Sequence, residues 1–199
     1  MKIEKFENRD VWRDDLQFGG TKSRILKPYI QRRLEKYDDF VFASPRVGYG
    51  QLALSYVCNQ LGSKSTLFVP KGKTTSITER CLELGSNVIQ VPMGYLTHLQ
   101  YKSKIYIDEN PNSHLLPFGF DVDEIIDDGV EIIKNLNDWK DYDEVWSVIS
   151  SGVLSRILQR VFPKSKVVGI RIGHDTTERE QGRAELQISP YQFKNPCKK

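Results

Sequence analysis

From residue 40 onward the chain alternates short apolar runs with helix-patterned segments, and this alternation limits the folds open to it more than any other feature. Phe40–Ala43, Thr66–Val69, Asn87–Val91, Val145–Ile149 and Lys166–Ile172 read as strands. Between them, helical spacing predicts helices over 52–61, 75–84, 122–136 and 153–161, with Gly62 and Gly85 as stops. Residues 93–120 are less regular, and Lys104–Ile107 reads there as a short strand. Strand–turn–helix units of this length imply right-handed crossovers and a parallel sheet, so the expected fold class is α/β with flanking helices.

Composition narrows the classes further. Across 199 residues, 39% are hydrophobic and 28% charged, which is globular rather than disordered. The net charge of +3 is too small to indicate nucleic acid. No apolar run approaches the ~20 residues of a membrane helix. The opening MKIEKFENRD has no apolar leader, so a cytoplasmic location is expected. Cys58, Cys81 and Cys197 are odd in number and show no CxxC spacing, which argues against a disulfide framework or a zinc site. His98, His114 and His174 lack metal-ligand spacing, and no metal is expected.

In open α/β sheets ligands bind at the carboxyl ends of strands. That selects the turns at 43–50 and 150–153, each opening onto a helix N-terminus where amides and dipole favour an anion. The same turns also suit ordinary backbone geometry. Neither matches a P-loop or a full GxGxxG. Further upstream, Gly19-Gly20 precedes Lys22 and a helical pattern through Leu34. A lysine at a helix N-terminus is electrostatically misplaced, which lowers its pKa and suits a nucleophilic amine. A solvated surface lysine is the alternative. Pro28 predicts a kink or a later helix start.

Other residues carry less. Asp14 or Asp15 is expected to pair with Arg13 or Arg24. Asp121, Asp123, Glu124, Asp127 and Asp128 read as a solvated face at a helix start. Tyr95, Tyr101 and Tyr106 are candidates for a cleft, and Trp12, Trp139 and Trp146 for packing. His174-Asp175 follows a strand end, and 178–183 reads as an exposed turn or helix.

The stretch WRDDLQFGGTKSRIL resembles the segment of fold-type II pyridoxal-phosphate enzymes that carries the cofactor-binding lysine within R-E-D…G-G-N-K-x-R-K. The D-cysteine desulfhydrase and 1-aminocyclopropane-1-carboxylate deaminase branch is the nearest in flavour. FASPRVGYGQLAL is similar to the S-x-G-N-x-G turn and helix of threonine-synthase-like members. LGSKSTLFVPKGK and LELGSNVIQVPMG follow in family order. VISSGVL with the strand after it resembles the phosphate turn. The likeness spans roughly residues 11–172.

The resemblance implies a reduced two-lobed architecture like the tryptophan synthase β subunit. Residues 1–39 and 140–199 would be the remnant of the large lobe, and 40–139 the small lobe. It implies pyridoxal 5′-phosphate as cofactor and a lyase or deaminase acting on a small amino acid or an amino-acid-bearing substrate. Lys22 would link to the cofactor and move protons at the substrate Cα. Ser44, Arg46 and Gly48 would face the ring and the substrate carboxylate, and Ser150, Ser151, Gly152, Val153 and Leu154 would cradle the phosphate. Homodimerisation is expected.

The departures point the other way. Arg46 stands at the family asparagine, and Val153 and Leu154 at the usual Gly and Thr. The chain is shorter than typical members, and 174–199 has no match in the family pattern. The alternative is a non-catalytic or repurposed module of the same fold, holding another phosphorylated ligand or a protein partner.

Overall fold

The computed structural model describes residues 2–92, 94–136, 140–172 and 175–189. Contacts divide the chain into two compact units, Met1–Phe118 and Gly119–Lys199. Residues 2–39 thus cluster with the first sheet and 119–136 with the second.

The first unit opens with an antiparallel hairpin, β1 (Ile3–Phe6) and β2 (Arg9–Trp12). A 3₁₀ turn at Asp14–Leu16 leads into α1 (Gly20–Gln31). This helix begins at Gly20 and includes Pro28, so the expected later start is not found. Pro28 only removes the amide that would reach the Arg24 carbonyl. Asp14 takes both Arg24 Nη2 at 2.9 Å and Thr21 Oγ1 at 2.7 Å, and Asp15 pairs with Arg13 at 2.8 Å, as the acidic pair predicts.

The sheet follows in regular units: β3 (Asp39–Ala43), α2 (Tyr49–Leu61), β4 (Lys64–Pro70), α3 (Ser76–Glu83), β5 (Asn87–Val91), α4 (Leu96–Glu109) and β6 (Ser113–Leu116). The strand order is β5-β4-β3-β6, all parallel. All five residues of β3 are buried, as a central parallel strand requires. Val41, Ala43, Phe68, Val91 and Leu99 form a core cluster on the α4 side. The valine, leucine and phenylalanine side chains among them each contribute about 1.5–3 kcal/mol by burial. Gly62 ends α2 in the left-handed conformation, its amide bonded to Asn59 O and Cys58 O. Lys104–Ile107, expected as a strand, lies inside α4. Its apolar residues suited either period. The helix prevails because Leu99, Tyr106 and Ile107 reach the same core cluster.

At the amino end of β3, the buried Asp39 Oδ2 accepts from Thr66 Oγ1 (2.9 Å), Tyr106 Oη (3.0 Å) and Ser113 Oγ (3.3 Å). Tyr106 is therefore tied into the sheet rather than lining a cleft, while Tyr95 and Tyr101 are exposed. Asp39→Ala strands three hydroxyls at once. It is expected to lower the stability of this unit by about 2 kcal/mol. Urea unfolding measures this, and a loss below about 0.5 kcal/mol would show that the hydroxyls find other partners.

The second unit contains α5 (Asp123–Lys134), β7 (Glu144–Ile149), α6 (Val153–Val161), β8 (Lys166–Arg171), α7 (Glu178–Gln181) and β9 (Glu185–Ile188). Its sheet is parallel in the order β7-β8-β9. Ile149, Val167 and Ala184 form its core cluster, with Leu186 packed against them. The acidic group at the start of α5 is paired rather than simply solvated. Asp121 binds Arg156 at 2.6 Å and Arg179 at 3.1 Å, and Asp127 binds Arg160 at 2.5 Å. Trp146, expected to pack, is 52% exposed beside the 53% exposed Val148 on β7. His174, Trp139, Cys197 and residues 190–199 lie outside the described residues. Among the described residues no helix is long and apolar enough to cross a membrane, and no cluster of His, Cys, Asp and Glu could hold a metal.

Candidate functional site

Two successive left-handed glycines, Gly19 (φ 77°) and Gly20 (φ 64°), turn the chain into α1 and set Lys22 in its first turn. Few other residues tolerate that backbone. A Cβ on Gly19 would meet Ala53 Cα at 3.0 Å, so the start of α1 lies directly on α2. Ser23 Oγ is within hydrogen-bond distance of both Phe18 O and Gly20 O at 2.8 Å, and the Phe18 ring packs on Tyr56. Lys22 is half-buried and forms no hydrogen bond or ion pair among the described residues. Burial alone pushes its amine below the ordinary lysine range.

The β3–α2 turn is built to one shape. Gly48 N–H donates to Pro45 O at 2.9 Å, and a Cβ there would meet Ser44 Oγ at 2.6 Å. Ser44 is fully buried, and its hydroxyl donates to Pro45 O at 3.0 Å. Gln51 Nε2, also buried, donates to Pro45 O (3.2 Å) and Arg46 O (3.1 Å) from the first turn of α2. Its amide oxygen accepts from Thr78 Oγ1 at 3.3 Å. Gln51 was not singled out from the sequence, since its role depends on a turn folding back onto it.

Arg46 does not fill the place ahead of the turn. Its Nη2 donates to Lys71 O at 2.8 Å, and the guanidinium lies against Gly72, where a Cβ would be 2.0 Å from Nη2. The β4–α3 loop is thus held to the β3–α2 turn. It brings Lys71 and Lys73 to the same carboxyl edge of the sheet, two further residues not picked out from the sequence. Their signal was the Lys-Gly-Lys step directly after a strand-ending proline.

In the second unit, Gly152 (φ 71°) caps α6. The amides of Val153, Leu154 and Ser155 meet no acceptor among the described residues, so the helix start offers donors to an anion. Ser151 Oγ lies 3.5 Å from Gly119 O. The reason for glycine at 152 is local. A Cβ there would sit 2.2 Å from Glu180 O and 2.6 Å from Glu180 Cα, because α7 runs across the turn. Thr177 and Glu180 close α7 with a reciprocal capping box. The structure thus gathers Lys22, Ser44, Arg46 and Gly48 around α2 in the first unit, and Ser150 to Leu154 on one turn in the second.

No family model matches the chain, and no curated protein matches it in sequence. Solved structures do. The processed form of threonine deaminase isoform 2 from Solanum lycopersicum superposes with a TM-score of 0.70 at 17% identity, over 90% of this chain and 51% of that one. An ACC deaminase homologue gives 0.73 at 16%, over 90% and 65%. The O-acetylserine dependent cystathionine beta-synthase from Helicobacter pylori gives 0.66 at 19%, over 96% and 72%. At these identities the likeness is one of fold. The architecture is α/β with parallel sheets and flanking helices, the fold these structures share. The chain spans about half the length of the threonine deaminase.

Proposed function

We propose that this chain is a pyridoxal-phosphate-dependent lyase or deaminase acting on a small amino acid or an amino-acid-bearing substrate. The observation that carries the reading is the unpartnered, desolvated amine of Lys22, set by two left-handed glycines on a fold shared with such enzymes. Each unit carries groups that suit one part of the cofactor. In the first, Lys22 provides the amine that would hold its aldehyde. In the second, Ser150, Ser151 and the amides of Val153, Leu154 and Ser155, which meet no acceptor among the described residues, suit a phosphate. Arg46 is drawn onto the β4–α3 loop by Lys71 O. When bound, the cofactor supplies an electron sink for charge developing at the substrate Cα. Lys22 takes and returns the Cα proton, a role helped by a lowered pKa. The amides at the start of α2, which has no side-chain cap, would orient the substrate carboxylate.

A second reading, a repurposed module of this fold, draws on one feature: α7 packs its backbone onto Gly152. One titration separates the two. Added pyridoxal 5′-phosphate is expected to give an absorbance band at the visible edge that borohydride removes and Lys22→Ala abolishes. Absence of the band, or its retention in Lys22→Ala, overturns the enzyme reading.

A further inference from the structure

At the carboxyl edge of the first sheet the chain places cations without acids. The described segments 44–53, 70–75, 94–98 and 117–118 contain Arg46, Lys71 and Lys73 but no Asp or Glu. None of these three side chains forms an ion pair among the described residues. Elsewhere arginines find carboxylates readily: Arg13, Arg24, Arg156, Arg160 and Arg171 are all paired. The first carboxylate after the β4–α3 loop is Glu79, exposed on α3.

The loop is fixed rather than trailing. Lys71 N–H donates to Val91 O at 2.9 Å, and Gly72 N–H to Gln90 Oε1 at 3.2 Å. Arg46 Nη2 donates to Lys71 O, and Thr75 Oγ1 donates to Arg46 O at 3.3 Å. Arg46 spends only one Nη2 proton on this, so most of the guanidinium fork is unspent. Three cations on adjoining segments, Arg46 half-buried and Lys71 and Lys73 exposed, have no internal counter-charge, which suits an external anion.

We propose that Arg46, Lys71 and Lys73 form the subsite for a second acidic group, a phosphate or carboxylate on the side chain of the substrate. This rests on the reading that Lys22 and the start of α2 engage the amino-acid end. The substrate class is then an anionic amino acid rather than a neutral one.

The test titrates matched pairs into the full chain loaded with pyridoxal 5′-phosphate, at low ionic strength where exposed charges are least screened. The pairs are O-phospho-L-serine against L-serine and L-aspartate against L-asparagine, and the absorbance band is followed. The charged member is expected to act at about tenfold lower concentration, the scale of two or three partly exposed ion pairs. The pair with the larger ratio identifies phosphate or carboxylate. Lys71→Ser/Lys73→Ser is expected to remove the preference, while Lys102→Ser/Lys104→Ser, an equal charge loss on α4, keeps it. Equal response within both pairs, or a preference surviving Lys71→Ser/Lys73→Ser, overturns the subsite and leaves the cofactor reading standing. If no band forms, the cofactor reading fails, and calorimetry with O-phospho-L-serine decides the subsite alone. Binding lost in Lys71→Ser/Lys73→Ser supports it, and no binding overturns it.

Discussion

Gly152→Ala is expected to destabilise the second unit by about 4 kcal/mol, a large loss for a single methyl group. Two effects combine. The residue sits at φ 71°, where a side chain costs roughly 1–2 kcal/mol. The added Cβ also meets the backbone of Glu180 at 2.2 Å, so relief requires α7 to lift as a whole. That helix is anchored from beneath. Buried Gln159 donates to Gln181 O at 2.8 Å and accepts from Arg183 N–H at 2.8 Å, and a Cβ on Gly182 would strike Gln159 Oε1. Arg183 in turn donates to Gln159 O, Phe162 O and Ser165 O at the end of α6. Lifting α7 therefore loosens β9 as well. Hydrogen exchange across residues 144–188 is expected to show lost protection, largest at 177–188. Gly85→Ala is the comparison, with φ 84° but no atom within 4 Å of the added Cβ; it is expected to cost only about 1 kcal/mol. Equal costs at the two glycines would show that α7 does not lie on the turn.

The same pair of glycines shows what a sequence can reveal. Gly85 was legible as a helix stop because its reason lies within its own turn. Gly152 was legible only as a turn residue, since the atom that excludes a Cβ belongs to Glu180. A continuous apolar run located the buried β3, and helical spacing located the amphipathic α5 and α6. Patterning misread Lys104–Ile107, where a lysine followed by the short run Ile105-Tyr106-Ile107 fits both a strand and a helix until Leu99 and Ile107 are seen on one core. Charge pairing was legible at short range, as with Asp14 and Arg24. It was not legible at long range. Asp121 reads as solvated until Arg156 and Arg179 arrive. Arg46 reads only as a departure from the family asparagine until a carbonyl 25 positions away is seen to bind it. Lys22 was picked out by its Gly-Gly approach, but its desolvation follows from how α1 is laid upon α2.

Lys22→Met is expected to raise the melting temperature at neutral pH, with the gain shrinking as the pH rises. Burial penalises the charged form of Lys22, so its amine titrates below its ordinary value of 10.5 in the folded chain. The folded state then binds fewer protons at this site than the unfolded state between the lowered pKa and about 10.5, and stability rises with pH across that window. Below the folded pKa the full penalty of a buried ammonium is present; above the unfolded value it is gone. Methionine is an unbranched chain one atom shorter and carries no charge, so it removes the penalty at every pH. Wild type and Lys22→Met should therefore converge as alkaline pH neutralises the lysine. Lys27→Met, an exposed change on the same helix, controls for the effect of introducing a methionine. Thermal melts from pH 6 to about pH 10 measure all three chains. A lower melting temperature for Lys22→Met at pH 7 would mean that the amine is engaged and stabilising. That would remove the basis for treating it as a nucleophile. The expected direction has a functional sense: a lysine that destabilises the fold while protonated is more often neutral near physiological pH, the form in which an amine can attack a carbonyl.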